Sequence, residues 1–421
     1  MSQAQRPTRA RHVVLWMTVA VYMITYMDRV VLSTATPEMR KELGFDLKTM
    51  AYIVGAFNWS YALCQIPGGL LGDKIGPRRA LSLIVTWWSA FTSFTAMAGS
   101  ATALFAVRFL FGVGEAGAFP IATRSLSRWI LATERGFAQG VTHAGARLGL
   151  GLTPPLVVWI ILNFGWRMPF YIFAGIGLLW AIAWYIYYRD SPAEHSGVNE
   201  AELELIHTGG ATKKGGVGKV PWAQILKNPT MWFLCAMYFC YNYSLNVYVS
   251  WFPTYVSESR GVTLAKMGFY ASLPLLSGVA GDLLGGWFSD RVLHRTGNVN
   301  LARRWVAIAG FSVCALATVP ATFASNVETS IALFCLAFFA LEWTVGISWA
   351  VPLDIGGDYS GSVSAFMNMC GNIGGAIATT YFGLLVQEFG WNVPFLITSG
   401  LAALAAVLYL RIDASRKIVT A

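Results

Sequence analysis

Charge is what this sequence has little of. Asp, Glu, Lys and Arg make up 12% of its 421 residues, against 56% hydrophobic residues and a mean hydropathy of +0.53. Soluble domains keep roughly a quarter of their residues charged, so a soluble enzyme of this length is excluded. Cysteine is also scarce: Cys64, Cys235, Cys240, Cys314, Cys335 and Cys370 all fall in apolar stretches without a CxxC spacing. They read as small core residues and exclude a disulfide framework and a thiolate metal site. No HExxH and no Ser/His/Asp set occurs in the apolar segments, so an integral-membrane enzyme is not expected, nor is a cofactor or a metal. The first apolar segment is too long for a cleavable signal and contains Asp28 and Arg29, so it is expected to remain as a helix.

Long apolar runs are abundant. Twelve stretches, near 13–35, 50–72, 80–99, 101–122, 136–162, 168–188, 230–256, 266–288, 305–324, 329–350, 362–386 and 391–411, are each long enough for a helix across a ~30 Å hydrocarbon core. The sequence therefore predicts an all-α integral membrane protein with twelve transmembrane helices in two six-helix halves, 13–188 and 229–412. A polar linker over 189–228 joins them, with short helices at 199–207 and 221–227; tails 1–12 and 413–421 flank the halves, and residues 1–11 and 413–421 are expected to be loose. This topology puts 21 of the 30 Lys and Arg residues on the side of the two termini, six on the other side and three inside spans. The positive-inside rule then makes both termini and the linker cytoplasmic. The net charge of +9 reports that topology, and nucleic-acid binding is not expected.

Two phrases recur half a length apart. Gly68-Gly69-Leu70-Leu71-Gly72-Asp73-Lys74 returns 217 residues later as Gly285-Gly286-Trp287-Phe288-Ser289-Asp290-Arg291, and Phe164-Gly165-Trp166 returns 225 residues later as Phe389-Gly390-Trp391. One duplication fits both. Two similar membrane halves that rock against each other can expose a central site to each side in turn, which is the design of a transporter.

The informative residues are those that do not belong in hydrocarbon, where a central charge costs about 2.5–3.5 kcal/mol. Asp28 and Arg29 lie in the first span, Arg108 and Glu115 in the fourth and Arg147 in the fifth, a surplus of one positive charge that invites an anion. Tyr22, Tyr26 and Arg29 share one helical stripe, as do Arg108, Gly112 and Glu115. Two readings stand: a substrate and proton site, or static ion pairs of Arg108 with Glu115 and Asp28 with Arg29. Arg147, one turn from His143, faces the cavity as a second anion contact or else pairs with Asp28 or Glu115. In the second half the polar positions are Asn242, Asn246, Asp282, Glu342, Ser348, Asn368 and Asn372, with Tyr61, Tyr241, Tyr243 and Trp349 as aromatic candidates.

These residues carry a family resemblance. Gly69-Leu70-Leu71-Gly72-Asp73-Lys74-Ile75-Gly76-Pro77-Arg78-Arg79 resembles the loop signature of the major facilitator superfamily, with Asp290-Arg291 marking its second copy. Tyr26-Met27-Asp28-Arg29, Cys64-Gln65-Ile66-Pro67-Gly68-Gly69, Arg108 to Ala116, Trp251-Phe252-Pro253-Thr254-Tyr255 and Asn368-Met369-Cys370-Gly371-Asn372 are similar to motifs of its anion:cation symporters, which include galactonate and hexuronate carriers and vesicular glutamate transporters. The resemblance implies proton-coupled uptake of a small organic anion, such as a sugar acid, by a monomer in a bacterial inner membrane. It assigns substrate contacts to Arg29, Tyr26, Tyr61 and Asn368, proton coupling to Asp28, Glu115 and Arg108, and gating to Gly69, Asp73, Arg78, Asp290 and Arg291. Three positions depart from the pattern: Gly117 stands where relatives often have Pro, Ala146 where the galactonate carrier has Gln, and Trp349 follows Gly346 where a hydroxyl would meet a polyol. A drug or cation exporter is the alternative, disfavoured by the cationic surplus.

Overall fold

A chain segment surrounded by lipid has no water to satisfy its backbone and must close its hydrogen bonds internally. The computed structural model describes residues 6–131, 134–208, 221–356 and 359–418, and these are helical throughout their ordered elements. In the first half the helices are α1 (Ala10–Leu43), α2 (Leu47–Met97), α3 (Ala101–Glu115), α4 (Ala118–Trp129), α5 (Arg135–Phe164) and α6 (Met168–Tyr187). Short α7 (Glu200–Thr208) and α8 (Trp222–Lys227) follow. The second half holds α9 (Pro229–Thr254), α10 (Leu264–Thr296), α11 (Val306–Phe323), α12 (Val327–Glu342), α13 (Val345–Gly356), α14 (Ser360–Phe389) and α15 (Asn392–Tyr409).

Spans and helices do not map one to one. α2 passes through the slab twice, bending at Gly76, whose φ of 79° is a left-handed conformation open to glycine. The carboxylate of Asp190, just past α6, lies against Gly76 and leaves no room for a Cβ. Conversely α3 and α4 make one span interrupted at 116–117, and α12 and α13 make another interrupted at 343–344. Gly68 of α2 packs backbone to backbone on Gly117 at the first interruption, so the glycine there permits a helix crossing that any side chain would push apart. The result is twelve crossings, six in each half.

Ten of these crossings are apolar and long enough to be recognised by composition alone. The other two are the first limb of α2, which carries Asn58, Ser60 and Gln65, and α9, which carries Asn242, Ser244, Asn246 and Ser250. Both also contact the opposite half, the first against α14 and α9 against α1. The halves meet through α1 on α9, α2 on α14 and α5 on α10. Several of these contacts sit at the end remote from the chain termini: Arg40 pairs with Glu258, Trp59 Nε1 donates to Thr380 Oγ1 at 3.2 Å, and Gly268 packs on Pro154 and Pro155.

The described parts of the tails are tied down, contrary to the expectation that they are loose. Glu202 of α7 is fully buried beneath the start of α1, where its two carboxylate oxygens accept from the backbone N–H of Ala10 and Arg11, each at 3.2 Å, and from Thr8 Oγ1. A carboxylate at a helix N-terminus satisfies orphan donors and complements the helix dipole. At the other end Asp413 accepts from Ser415 Oγ at 2.6 Å and Asn300 Nδ2 at 2.7 Å, which holds its carboxyl down to about 2, and Ile418 N–H donates to Ile355 O at 2.8 Å. Both tails are held because a neighbouring segment supplies polar partners that composition does not reveal. Replacing Glu202 by Ala is expected to cost about 0.5–2 kcal/mol, the range for a lost N-terminal cap. Thermal unfolding of the purified variant in detergent should fall by a few degrees and trypsin should cut near Arg11 sooner; unchanged melting and cleavage would show that the cap contributes nothing.

Candidate functional site

Two buried charge clusters occupy the middle of the protein. In the first, the α1 stripe of Tyr22, Tyr26 and Arg29 extends one turn to Ser33. Arg29 reaches across to the last residue of α3: its Nε donates to Glu115 Oε1 at 2.6 Å, and Nη2 lies 2.5 Å from the same oxygen. The guanidinium is walled by rings, 4.6 Å from the centroid of Tyr61, 5.0 Å from Tyr26, 5.2 Å from Phe57 and 5.7 Å from Phe119. Such a cage fixes the plane of the cation. Arg108, 2% exposed, stacks on Phe111 at 4.2 Å and Phe57 at 5.4 Å, with Glu115 and Asp28 as its charged neighbours. Asp28 is buried, with the Trp88 side chain as the donor set against its carboxylate. Of the pairings expected, Glu115 has its closest contact with Arg29 and not with Arg108, because α1 faces the end of α3 at this level.

A small cavity adjoins Arg29 and Arg108. Ser33 and Asn58 line it from the amino half, Asn246 and Ser250 from α9 of the carboxyl half. Cationic edges and neutral donors thus converge on one small space between the halves. Ser33, Phe57, Asn58 and Ser250 were not among the candidates read from the sequence, although spacing could have found three of them. Ser33 is four residues beyond Arg29, Asn58 three before Tyr61, and Ser250 four beyond Asn246. Phe57 carries no such mark among so many aromatics.

The second cluster corrects the reading of Arg147. It stands outside that cavity and pairs with neither Asp28 nor Glu115. Its Nη2 lies 2.6 Å from Glu342 Oε2 and donates to Tyr241 Oη at 3.3 Å, and its Nε lies 3.8 Å from Asp282 Oδ2. Tyr241 in turn donates to Glu342 Oε1 at 2.8 Å. All three partners belong to the other half, on α12, α9 and α10, so the surplus positive charge expected in the amino half is taken up by acids of the carboxyl half. Trp349 belongs here too: its Nε1 donates to Tyr238 Oη at 2.9 Å, and Tyr238 stacks on Tyr241 with ring centroids 5.2 Å apart. Asn368 is half-buried one turn before Asn372, which donates to Gln65 Oε1 at 3.0 Å across the halves.

The residues expected to gate lie at the end nearer the termini. Arg78 is held by Tyr185, its Nε donating to the carbonyl at 2.9 Å with the guanidinium 4.5 Å from the ring, and its backbone N–H donates to Asp190 Oδ1 at 3.1 Å. Gly69 packs on Pro120. Arg303 Nη1 donates to Asp290 at 2.9 Å and its Nε to Asp354 at 3.1 Å, while Arg291 lies 5.1 Å from the Trp287 ring. The side chain of Asp73 lies outside the described residues.

Comparison with known proteins agrees with this architecture. The Major Facilitator Superfamily description matches residues 18–379 and again 299–420. The "Probable sulfoacetate transporter SauU" of Cupriavidus necator is 38% identical over 96% of this chain and 94% of its own length. The "Probable galactarate/D-glucarate transporter GudP" of Escherichia coli is 34% identical over 97% and 94%, and an Escherichia coli D-galactonate transporter 30% identical over 97% and 96%. Among solved structures, a bacterial homologue of the lysosomal transporter Spinster superposes with a TM-score of 0.79 at 16% identity, over 96% of both chains. A match over most of the chain at this identity, with twelve crossings in two halves, establishes that the chain belongs to the major facilitator superfamily, in its anion:cation symporter-type group of membrane transporters.

Proposed function

We propose that this chain is a secondary active transporter that takes up a small organic anion together with protons by alternating access. The observation that carries the reading is the cavity between the halves, in which Arg29 and Arg108 face Asn246 and Ser250 while Glu115 holds Arg29 in the substrate's place. A carboxylate or sulfonate entering from solvent competes with Glu115 for the guanidinium, since both offer the paired oxygens that its fork accepts. Glu115, displaced but still buried, then holds an uncompensated charge in a low dielectric and takes a proton to remove it. Asp28, buried beside Arg108, is the second carrier, and Arg108 biases both. Anion and proton therefore bind cooperatively. Tyr26 and Tyr61 keep Arg29 oriented, and Asn368 approaches the substrate from the opposite half. The names of the relatives support an organic acid as cargo, and the small cavity favours a compact one.

The same reading places 13–188 and 229–412 as the moving halves, 189–228 as a cytoplasmic linker, and both termini on the cytoplasmic side of a bacterial inner membrane. The halves touching at the far end then corresponds to an inward-facing arrangement. Asp73 and Asp290 with Arg78 and Arg291 serve as latches at the cytoplasmic edge, tightening when that side closes. The monomer suffices, because both clusters are completed within one chain.

The decisive experiment is uptake of a panel of radiolabelled sulfo-, sugar and dicarboxylic acids, with organic cations as controls, into proteoliposomes with and without a pH gradient. Uptake of an acid, enhanced by an inward proton gradient, is expected; transport of cations alone would favour the exporter. Arg29→Lys keeps the charge but loses the fork, so kcat/KM for the acid should fall roughly 10- to 100-fold with normal protein levels. An unchanged KM in that variant would remove Arg29 from the binding site. Glu115→Gln mimics the protonated acid, and it should abolish pH-driven accumulation while preserving anion exchange between preloaded vesicles. If the Gln variant still concentrates substrate, Glu115 is a structural partner of Arg29 alone.

A further inference from the structure

The internal repeat relates the two polar bridges between the halves. Gln65 and Asp282 are separated by 217 residues, the offset of the Gly68 and Gly285 phrases, and Arg147 and Asn372 by 225, the offset of the Phe164 and Phe389 phrases. The Gln65–Asn372 hydrogen bond at 3.0 Å and the Asp282–Arg147 pair at 3.8 Å are thus one crossing built twice, once neutral and once charged. Glu115 and Glu342 correspond as well, each ending a helix that breaks for two residues inside a span. Their partners differ. Glu115 pairs with an arginine of its own half, whereas Glu342 pairs with Arg147, an arginine of the other.

That difference has a consequence when the halves separate. The groups facing this cluster are His143 and Arg147 on α5, Tyr26 on α1, Tyr238 and Tyr241 on α9, Asp282 on α10, Cys314 on α11 and Glu342 on α12. Arg147 is the one fixed cation in this set and it faces two carboxylates. Glu342 is 0% exposed at the C-terminal end of α12, where the helix dipole disfavours a negative charge. Its Oε2 lies 2.6 Å from Arg147 Nη2, the cation that compensates its charge. Once α5 withdraws from α10 and α12, both acids lose their cation within the hydrocarbon layer.

We propose that Asp282 and Glu342 form a second proton-binding site, in the carboxyl half, which fills from the aqueous phase as Arg147 departs and empties as it returns. The inference rests on the alternating-access reading for the motion but not on any particular cargo. Protonation of this site favours separation of the halves at the far end, so acid alone, without substrate, shifts the conformational balance.

The test is electron–electron double resonance on the substrate-free protein in nanodiscs, with the six native cysteines replaced and spin labels at Lys48→Cys and Glu388→Cys, exposed positions at the far ends of α2 and α14. Acidifying from about pH 8 to about pH 5, across the range in which perturbed carboxylates titrate, should move the parent distance distribution to longer values. Glu342→Gln should lose this pH response, and Asp282→Asn, at a less buried position, should reduce it and serves if the first variant does not fold. Glu204→Gln, at an exposed carboxylate of α7, should retain the response. A parent distribution that ignores pH, or a Glu342→Gln variant that responds as the parent does, overturns the proposal. Should no acid be taken up by proteoliposomes while the distances still respond through Glu342, the anion reading falls and this site stands.

Discussion

A guanidinium within hydrocarbon must find an acid or a ligand, because leaving it bare costs about 2.5–3.5 kcal/mol on the mildest scale. Three of them lie inside the spans of this protein, and the arrangement of the two halves follows from where their partners are. Arg29 and Arg108 are compensated within the amino half, by Glu115 and Asp28, so that half carries a self-contained charge cluster. Arg147 is compensated only by reaching Asp282 and Glu342 across the interface. One cluster is therefore complete within a half, while the other exists only where the two halves meet.

The surrounding structure serves that division. Rings of Tyr26, Phe57, Tyr61 and Phe119 surround Arg29 and fix the plane of its guanidinium. Interrupted helices α3/α4 and α12/α13 bring a glutamate at the end of a helix to the centre of each half, and the close approach of Gly68 to Gly117 shows why one interruption is tightly packed. The two least apolar crossings, the first limb of α2 and α9, line the cavity between the halves, and Asn58, Asn246 and Ser250 are the polar side chains they turn to it. Duplication supplied a symmetric scaffold. Substitution at a few positions, Gln65 against Asp282 and Asn372 against Arg147, made the two interfaces chemically unequal.

The sequence by itself determined the membrane class, the crossings, the repeat and the set of buried charges. Length, apolar content and the offsets between matching phrases are one-dimensional quantities, and a charge in an apolar run is conspicuous whatever its surroundings. It also marked the stripe of Tyr26 and Arg29. Which acid meets which arginine was decided by tertiary structure alone, since that depends on how far α1 and α5 are rotated and how closely they approach helices more than eighty residues away. Thus Arg29 takes the glutamate expected beside Arg108, and Arg147 finds acids of the other half that no local spacing connects to it. The tails follow the same logic: polar composition reads as loose, and only the fold shows that Glu202 and Asn300 stand where those tails need a partner.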